Sequence, residues 1–589
     1  MEYKIKAYIK ETLVATPIGE DTEATFNAML AGKSALENAS EGCISAFSPQ
    51  SRWYGMNTGD MVIEMAGEIA RKNSIDYSDP SVLLIISTTK GDIKELENGE
   101  YKLSSMAVSA KEALGCANLP LIVSNACISG VSATVVAKRY IEKGLYKNIV
   151  VAGCDRISDF IYPGFDSFKS LSATPCRPYD ANRCGLNLGE AGACLLISSE
   201  GDIEIKGGAI TNDANHISGP SRTGDGLFYA IEEAMVEAYG TLDHPVEFIN
   251  AHGTATLYND EMESKAVALA GMAAEAGKEG VPVNSLKGYI GHTLGASGVV
   301  EIALCAKQLE HGVILPVKGF SEHGVPMPIN IVKDSPVEII SKNSYGEGRN
   351  HINCIKTASG FGGCNAAVVL EKTREPKREN LKENAGNGGM DAAGEYSYKK
   401  YIIANGRIEA DGNILFEGPS DFAPFIREAY KKFCSPNMKF YKMDDLCKLG
   451  YVAASILFDE KDMAAGTAAE KRDTAIVLAN EVSSLDSDMK HWEAIKNNGT
   501  ASPAVFVYTL PNLVLGEICI RHKIKGENTF FITPRIPQER EKLPQIPDFI
   551  REYAHILMER KSTKRVIYGW CSYYDNQYCA IFELVENLN

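Results

Sequence analysis

Four short segments carry the residue types that could do chemistry. Leu121 to Gly130 reads L-I-V-S-N-A-C-I-S-G: an apolar strand, a turn of small residues bearing Cys127, then a helix in which Val131, Val135 and Val136 recur until Gly144 stops it. A thiol placed there meets unpaired backbone N–H groups and the positive end of a helix dipole. Both favour thiolate, and the same N–H groups can hold a developing oxyanion. His252 follows a strand in N-A-H-G-T-A-T-L-Y-N-D, and His292 sits in N-S-L-K-G-Y-I-G-H-T-L-G-A-S-G, which ends a strand and opens a helix. Glycine and threonine stand beside both rings where a core histidine would have apolar neighbours. Each lies at a strand C-terminus, where open α/β sheets place their chemistry. The fourth segment, T-A-S-G-F-G-G-C-N-A at 357–366, offers backbone N–H groups freed by glycine. A lone cysteine is most often a small core hydrophobe and a lone histidine a structural hydrogen-bonder, so what points to chemistry is the four together.

The elements that must position these segments alternate between strand and helix. Strands are expected at 81–87, 121–124 and 147–153, with helices at 22–35, 59–72 and 103–114, which makes a doubly wound half. Residues 155–190 are irregular and rich in Asp, Pro, Phe and Tyr, and an insertion of that length in an α/β unit is usually a lid or an interface. After a strand at 192–198 the pattern restarts: helix 227–239, strand 246–250, helix 260–269, a strand ending at 284, helix 295–309, and strands at 353–359 and 366–371. Two similar halves in one catalytic domain are the economical reading.

Composition limits the function classes. At 589 residues the chain exceeds one core, and its 45% hydrophobic and 23% charged residues are those of an ordinary globular protein. A net charge of -16 argues against a nucleic-acid binder, and an acidic partner would need a local basic patch. The opening M-E-Y-K-I-K-A-Y-I-K alternates like a strand and is unlike a signal peptide, and no apolar run is long enough for a membrane span. Fifteen scattered cysteines without a C-x-x-C pair fit neither a zinc site nor a disulfide framework, so no metal and a cytoplasmic location are expected.

In this order the four segments, with R-P-Y-D and L-G-E between them, resemble the β-ketoacyl-[acyl-carrier-protein] synthases of the thiolase superfamily, specifically the elongating Cys-His-His type. The resemblance covers residues 1–372 and implies an α/β thiolase-like duplicated layered fold (αβαβα), with halves of about 1–200 and 201–372. It makes Cys127 the acylated nucleophile and His252 and His292 the pair that drives malonyl decarboxylation. Lys287 and Glu301 would support them, with Thr254 and Thr293 beside the rings. Phe361, flanked by Gly360, Gly362 and Gly363, would gate the acyl tunnel, and its N–H with that of Cys127 would form the oxyanion hole. The implied partner is an acyl carrier protein bearing 4'-phosphopantetheine, with no cofactor of the enzyme's own. A homodimer, or a heterodimer with a homologous subunit, is implied through the strand next to the nucleophile.

Three departures bear on specificity: N-A-C-I-S-G lacks the usual flanking Thr, L-G-E-A-G-A is one residue short, and Leu257 and Tyr258 stand where Pro is frequent. Rival readings are a thiolase, which would need a second reactive thiol near Cys364, and a non-condensing partner subunit of the chain-length-factor kind, which typically lacks the nucleophile. Initiating synthases fit less well, because His292 occupies their Asn position.

Past residue 372 the composition turns polar and charged, and 373–397 reads as a linker. Residues 398–589 echo the first half: R-V-I-Y-G-W-C-S matches I-V-V-A-G-C-D, Y-C-A-I-F-E-L-V-E matches A-C-L-L-I-S-S-E, and F-F-I-T-P-R-I falls on L-I-V-S-N-A-C with Ile536 near the nucleophile position. This segment is therefore expected to be a smaller α/β domain like one synthase half without a nucleophile, contributing no chemistry. An unrelated accessory domain is the alternative.

Overall fold

The computed structural model describes residues 5–36, 43–99, 101–339, 351–373, 396–458, 470–535 and 543–588. Ile536 and all but the ends of the linker stretch lie outside them. Fifteen strands form three copies of one five-stranded arrangement. The first contains β1 (Tyr8–Ala15), β2 (Val82–Ser87), β3 (Leu121–Val123), β4 (Asn148–Asp155) and β5 (Ala191–Ser198), in the order β1-β5-β4-β2-β3. The second contains β6 (Ile203–Asn212), β7 (Phe248–Asn250), β8 (Pro282–Asn284), β9 (His351–Gly360) and β10 (Cys364–Thr373), in the order β6-β10-β9-β7-β8. The third contains β11 (Tyr396–Ala404), β12 (Thr474–Asn480), β13 (Asn528–Ile532), β14 (Arg565–Tyr574) and β15 (Gln577–Asn587), in the order β11-β15-β14-β12-β13. In each copy the first two pairings are antiparallel and the last two parallel. The parallel strands are apolar on both faces because helices cover both, as in V-L-L-I-I-S of β2, where every residue is buried.

Strand β6 was not among the expected elements. Its sequence I-E-I-K-G-G-A-I-T-N alternates for four residues and then meets two glycines that weaken the strand signal, whereas pairing with β10 along most of its length holds it extended.

Six helices matter for the site: α1 (Ser129–Glu142), α2 (Ser297–His311), α3 (Asp445–Leu457), α4 (Leu485–Asn498), α5 (Leu513–His522) and α6 (Asp548–Met558). Helices α1 and α2 are buried nearly all round, between the first two sheets, with the polar residues Lys138, Arg139 and Glu301 among those buried. They touch at Gly130 and Gly298: a Cβ on Gly130 would stand 2.5 Å from Val299 N, and one on Gly298 would stand 2.4 Å from Val131 N. No single helix among the described residues is long and apolar enough to cross a membrane, and the bent pair Pro503–Thr509 and Leu513–His522 that passes on composition is largely buried.

The first and third sheets join edge to edge. Val123 and Ile122 of β3 pair antiparallel with Phe531 and Ile532 of β13, and Ser124 N–H donates to Phe530 O at 3.0 Å. This edge was expected to carry a two-fold dimer. A strand edge has one row of donors and acceptors, and here the chain's own third sheet occupies it. Behind the joint, Arg139 of α1 pairs with Glu527 at 2.6 Å, and Tyr553 of α6 donates to the same carboxylate at 2.6 Å while its ring meets Tyr140 edge-on. All four groups are buried, so the two sheets meet in a dry interior around the Arg139–Glu527 ion pair.

Candidate active site

The Cys127 turn links β3 to α1. Ala126 has a φ of +49°, an unfavourable conformation for a residue with a Cβ, and the turn is held in it by its neighbours. Asn125 N–H donates to Ser129 Oγ at 2.8 Å, and its side-chain amide bonds β13 as a strand would: Phe530 N–H donates to Oδ1 at 2.7 Å and Nδ2 donates to Asn528 O at 2.9 Å. The second half repeats the turn, with Leu294 at φ +52° and Thr293 N–H donating to Ser297 Oγ at 3.1 Å.

The histidines come from the equivalent loops after β7 and β8. Leu294 N–H donates to His292 Nδ1 at 3.0 Å, so Nδ1 is an acceptor and the ring proton sits on Nε2. Lys287 Nζ stands 3.3 Å from His252 Nδ1 and gives that ring the same tautomer. Burial first, then the charge of Lys287, holds both histidines well below the usual imidazole range. Two neutral rings with Nε2–H outward are the donors an enolate oxygen needs.

Lys287 is itself held by Glu301 of α2 at 2.7 Å, and the other oxygen of Glu301 pairs with Lys356 at 2.6 Å. All three are buried. Lys356 was missed in the sequence, although a lysine in the middle of the apolar strand C-I-K-T-A-S was a signal, since such a residue stays charged only with a partner. Glu263 was missed as well. Its carboxylate accepts from His252 N–H and Gly253 N–H, both at 2.7 Å, and from Tyr179 of the R-P-Y-D motif at 3.0 Å. Asp260 receives Tyr179 N–H at 2.7 Å. The long 155–190 segment thus braces the His252 loop, and its Asn187 O accepts from His292 N–H at 2.7 Å. Thr254 bonds Thr256 and Thr293 bonds Ser297, so both threonines stiffen the loops next to the rings.

Sγ of Cys127 and one nitrogen each of His252 and His292 all lie within 4.8 Å of one another, and the two rings meet edge to face at 5.1 Å. Burial pushes the Cys127 thiol up to about 12, with Lys287 pulling the other way. Desolvation thus works against the thiolate that the helix terminus favours.

Gly360 closes over Cys127: a Cβ there would lie 3.2 Å from Cys127 N. Gly362 and Gly363 have φ of +90° and +70°, which lets the loop turn back on itself. The Phe361 ring lies among Phe165 and Phe168, at 6.2 and 5.5 Å, and its carbonyl accepts from Asn512 at 2.8 Å. Cys364 is buried behind this loop with its thiol directed at Phe361 O, and burial raises it well above the ordinary thiol range.

A narrow cavity of about 20 Å³ opens beside Cys127. Ile161, Phe165, Leu294 and Phe361 form its walls on one side, and Phe506, Thr509 and Leu510 close it from the third sheet's segment. The C-terminal region was expected to stand apart from the reaction; the structure makes it part of the pocket, because the sheet joint at β3 brings residues 506–512 over the nucleophile. His491 and His522 are buried, as packing residues, and His491 Nε2 reaches Phe160 O at 3.0 Å.

Residues 88–202 match the family described as the β-ketoacyl synthase N-terminal domain, and residues 203–321 match the corresponding C-terminal domain. The chain is 29% identical over 273 residues to a putative mitochondrial 3-oxoacyl-[acyl-carrier-protein] synthase of Schizosaccharomyces pombe, covering 42% of this chain and 60% of that one. It is 31% identical over 278 residues to the ketoacyl synthase alpha subunit of the tetracenomycin polyketide synthase of Streptomyces glaucescens, covering 44% and 61%. Against 3-oxoacyl-[acyl-carrier-protein] synthase 2 of Vibrio cholerae it is 27% identical over 418 residues, covering 61% and 96%. The chain thus spans about three fifths of the length of the first two relatives. Among solved structures, the PfaC keto synthase-chain length factor matches with a TM-score of 0.69 and 12% identity over 99% of this chain and 78% of that one, a likeness of fold.

Proposed function

We propose that the chain, whose residues 88–321 match the two β-ketoacyl synthase domain families, catalyses decarboxylative Claisen condensation on carrier-bound thioesters. The observation that carries this reading is the convergence of Cys127 Sγ with the two imidazoles within 4.8 Å. Cys127 attacks an acyl thioester; the new thioester forms, and the carrier leaves as a thiol with the proton that Cys127 gave up. Malonyl thioester then loses carbon dioxide, and the C–C bond electrons pass into an enolate held by Nε2–H of His252 and His292. The enolate carbon attacks acyl-Cys127, the oxyanion resting on the N–H groups of Cys127 and Phe361, and collapse expels the Cys127 sulfur and frees the β-ketoacyl carrier. Lys287 and Glu301 fix the tautomer of His252.

The partner in this reading is an acyl carrier protein, whose phosphopantetheine arm brings both substrates; the enzyme has no cofactor of its own, and the setting is cytoplasmic. The third sheet stands in for a paired subunit, a role supported by its hold on the β3 edge. A retained Cys127 speaks against a non-condensing subunit, and the buried Cys364 against a thiolase.

The test is to incubate the full chain with acyl- and malonyl-carrier proteins and analyse the products by mass. A β-ketoacyl carrier lengthened by one malonyl-derived unit, with matching carbon dioxide release, is expected. Formation or cleavage of β-ketoacyl thioester without carbon dioxide would overturn the reading.

A further inference from the structure

One buried charge in the pocket wall is unused by the chemistry. Lys90, in the S-T-T-K-G turn that follows β2, lines the cavity and is only 4% exposed. Its ammonium reaches across the sheet joint to Asp488 of α4 at 2.6 Å, to Ser484 Oγ at 3.1 Å, and to the carbonyl of Thr509. An ammonium has three protons, and these three acceptors take them all. Ser484 Oγ also donates to Thr509 O at 2.5 Å, so the turn that presents Thr509 and Leu510 to the pocket is fastened twice.

We infer that Lys90, clamped by Asp488, Ser484 and Thr509, is the fixed stop of the acyl pocket and so determines which chain lengths load onto Cys127. The inference rests on the acyl-transfer reading above. Its physical basis is a contrast among the walls. Phe165, Phe361 and Phe506 are rings that can turn aside for a growing chain at the cost of a rotamer change. Parting Lys90 from Asp488 and Thr509 means breaking charge-assisted hydrogen bonds in a dry interior and leaving an ammonium and a carboxylate unpaired. A chain too long by one methylene is therefore refused on this side, and discrimination of that kind is worth roughly tenfold or more per methylene in a closed apolar pocket.

The experiment loads the full chain with a series of saturated acyl-carrier thioesters of increasing length and measures Cys127 acylation by intact mass, in the wild type, in K90M/D488N and in D488N. The double variant removes both charges at similar volume; the single one only loosens the clamp and serves if the double variant does not fold. The expected result is a cut-off in the wild type and, in either variant, a ratio of long- to short-chain label raised by about tenfold or more. A ratio unchanged in a folded variant, with all lengths lowered in parallel, would mean that Lys90 only holds the sheets together and would overturn the inference. Wild-type enzyme that loads no acyl chain of any length would instead sink the acyl-transfer reading itself.

Discussion

Lys287 Nζ stands 3.3 Å from His252 Nδ1 and 2.7 Å from Glu301 Oε1, so one buried cation both sets the tautomer of a ring and is itself held in place. Replacing it by methionine removes the donor to Nδ1 and frees the His252 proton to move to the wrong nitrogen. Glu301 keeps Lys356 as a partner, so the fold should survive. Malonyl decarboxylation should fall by about 10- to 100-fold, the worth of a hydrogen bond to a charged group, while Cys127 acylation falls less. Steady-state carbon dioxide release against acyl label measures the split, and equal losses in both would contradict the assignment.

The pH profile of decarboxylation follows from the same rings. Both are held well below 6.5, so they stay neutral as pH drops through that value, and the rate on folded enzyme should hold level there. A fall with a midpoint near 6.5 would mean the rings titrate as ordinary histidines. The sign for stability is that of a carboxylate whose value is depressed by folding: folded-state histidines with depressed values refuse protons that the unfolded chain accepts. Stability present above 6.5 is lost as pH falls below it, and a thermal melt at each pH records it.

Cys127 should behave as a buried thiol. With its value pushed up to about 12, alkylation by iodoacetamide should keep rising by about tenfold per pH unit beyond the point, near ~8.5, where a free cysteine levels off. A plateau near neutral pH would show that the helix terminus outweighs desolvation after all.

Truncation after Thr373 should do more than remove an appendage. It strips β13 from the β3 edge, leaves Arg139 of α1 without Glu527, and opens the pocket where Phe506, Thr509 and Leu510 stood. The expected product is insoluble or fails to acylate Cys127, read by mass and by sedimentation. A soluble truncated chain that loads acyl groups at the full-length rate would show that the third sheet is dispensable.

That Cys127, His252 and His292 form a set was legible in the sequence because each sits in a loop of small residues after a strand, a setting no core residue needs, and the structure brings the three together. The repeat of strand patterns between residues 121–198 and 528–587 was legible as well, and L-I-V-S and F-F-I-T fall on strands that hold equivalent places at the ends of their sheets. That these two strands pair with each other was not, since Val123 and Phe531 are joined only by edge register across four hundred residues of chain. Phe506, Thr509 and Leu510 belong to an ordinary apolar run, and nothing in P-A-V-F-V-Y-T-L says which face will look into a cavity. Lys90 escaped for a related reason: in a turn, a lysine declares itself as buried only when its acceptor is known, and Asp488 comes from a distant helix.

Phe361 lies against Phe165 and Phe168 with its carbonyl tied to Asn512, so its side chain can move while its backbone cannot. Phe361→Ala should change the relative loading of short and long acyl chains on Cys127, and identical relative loading in both proteins would reduce the residue to a turn former.

The central claim is that thiol and imidazoles divide the reaction between them, and the most direct measurement follows acyl label and carbon dioxide together in C127A, H252A and H292A. C127A should take no covalent acyl group yet still release carbon dioxide from malonyl carrier. H252A and H292A should accept the acyl group and lose decarboxylation by roughly 10²–10³-fold, the cost of one missing oxyanion donor. Acyl label on C127A, or decarboxylation at the wild-type rate in either histidine variant, would contradict the account.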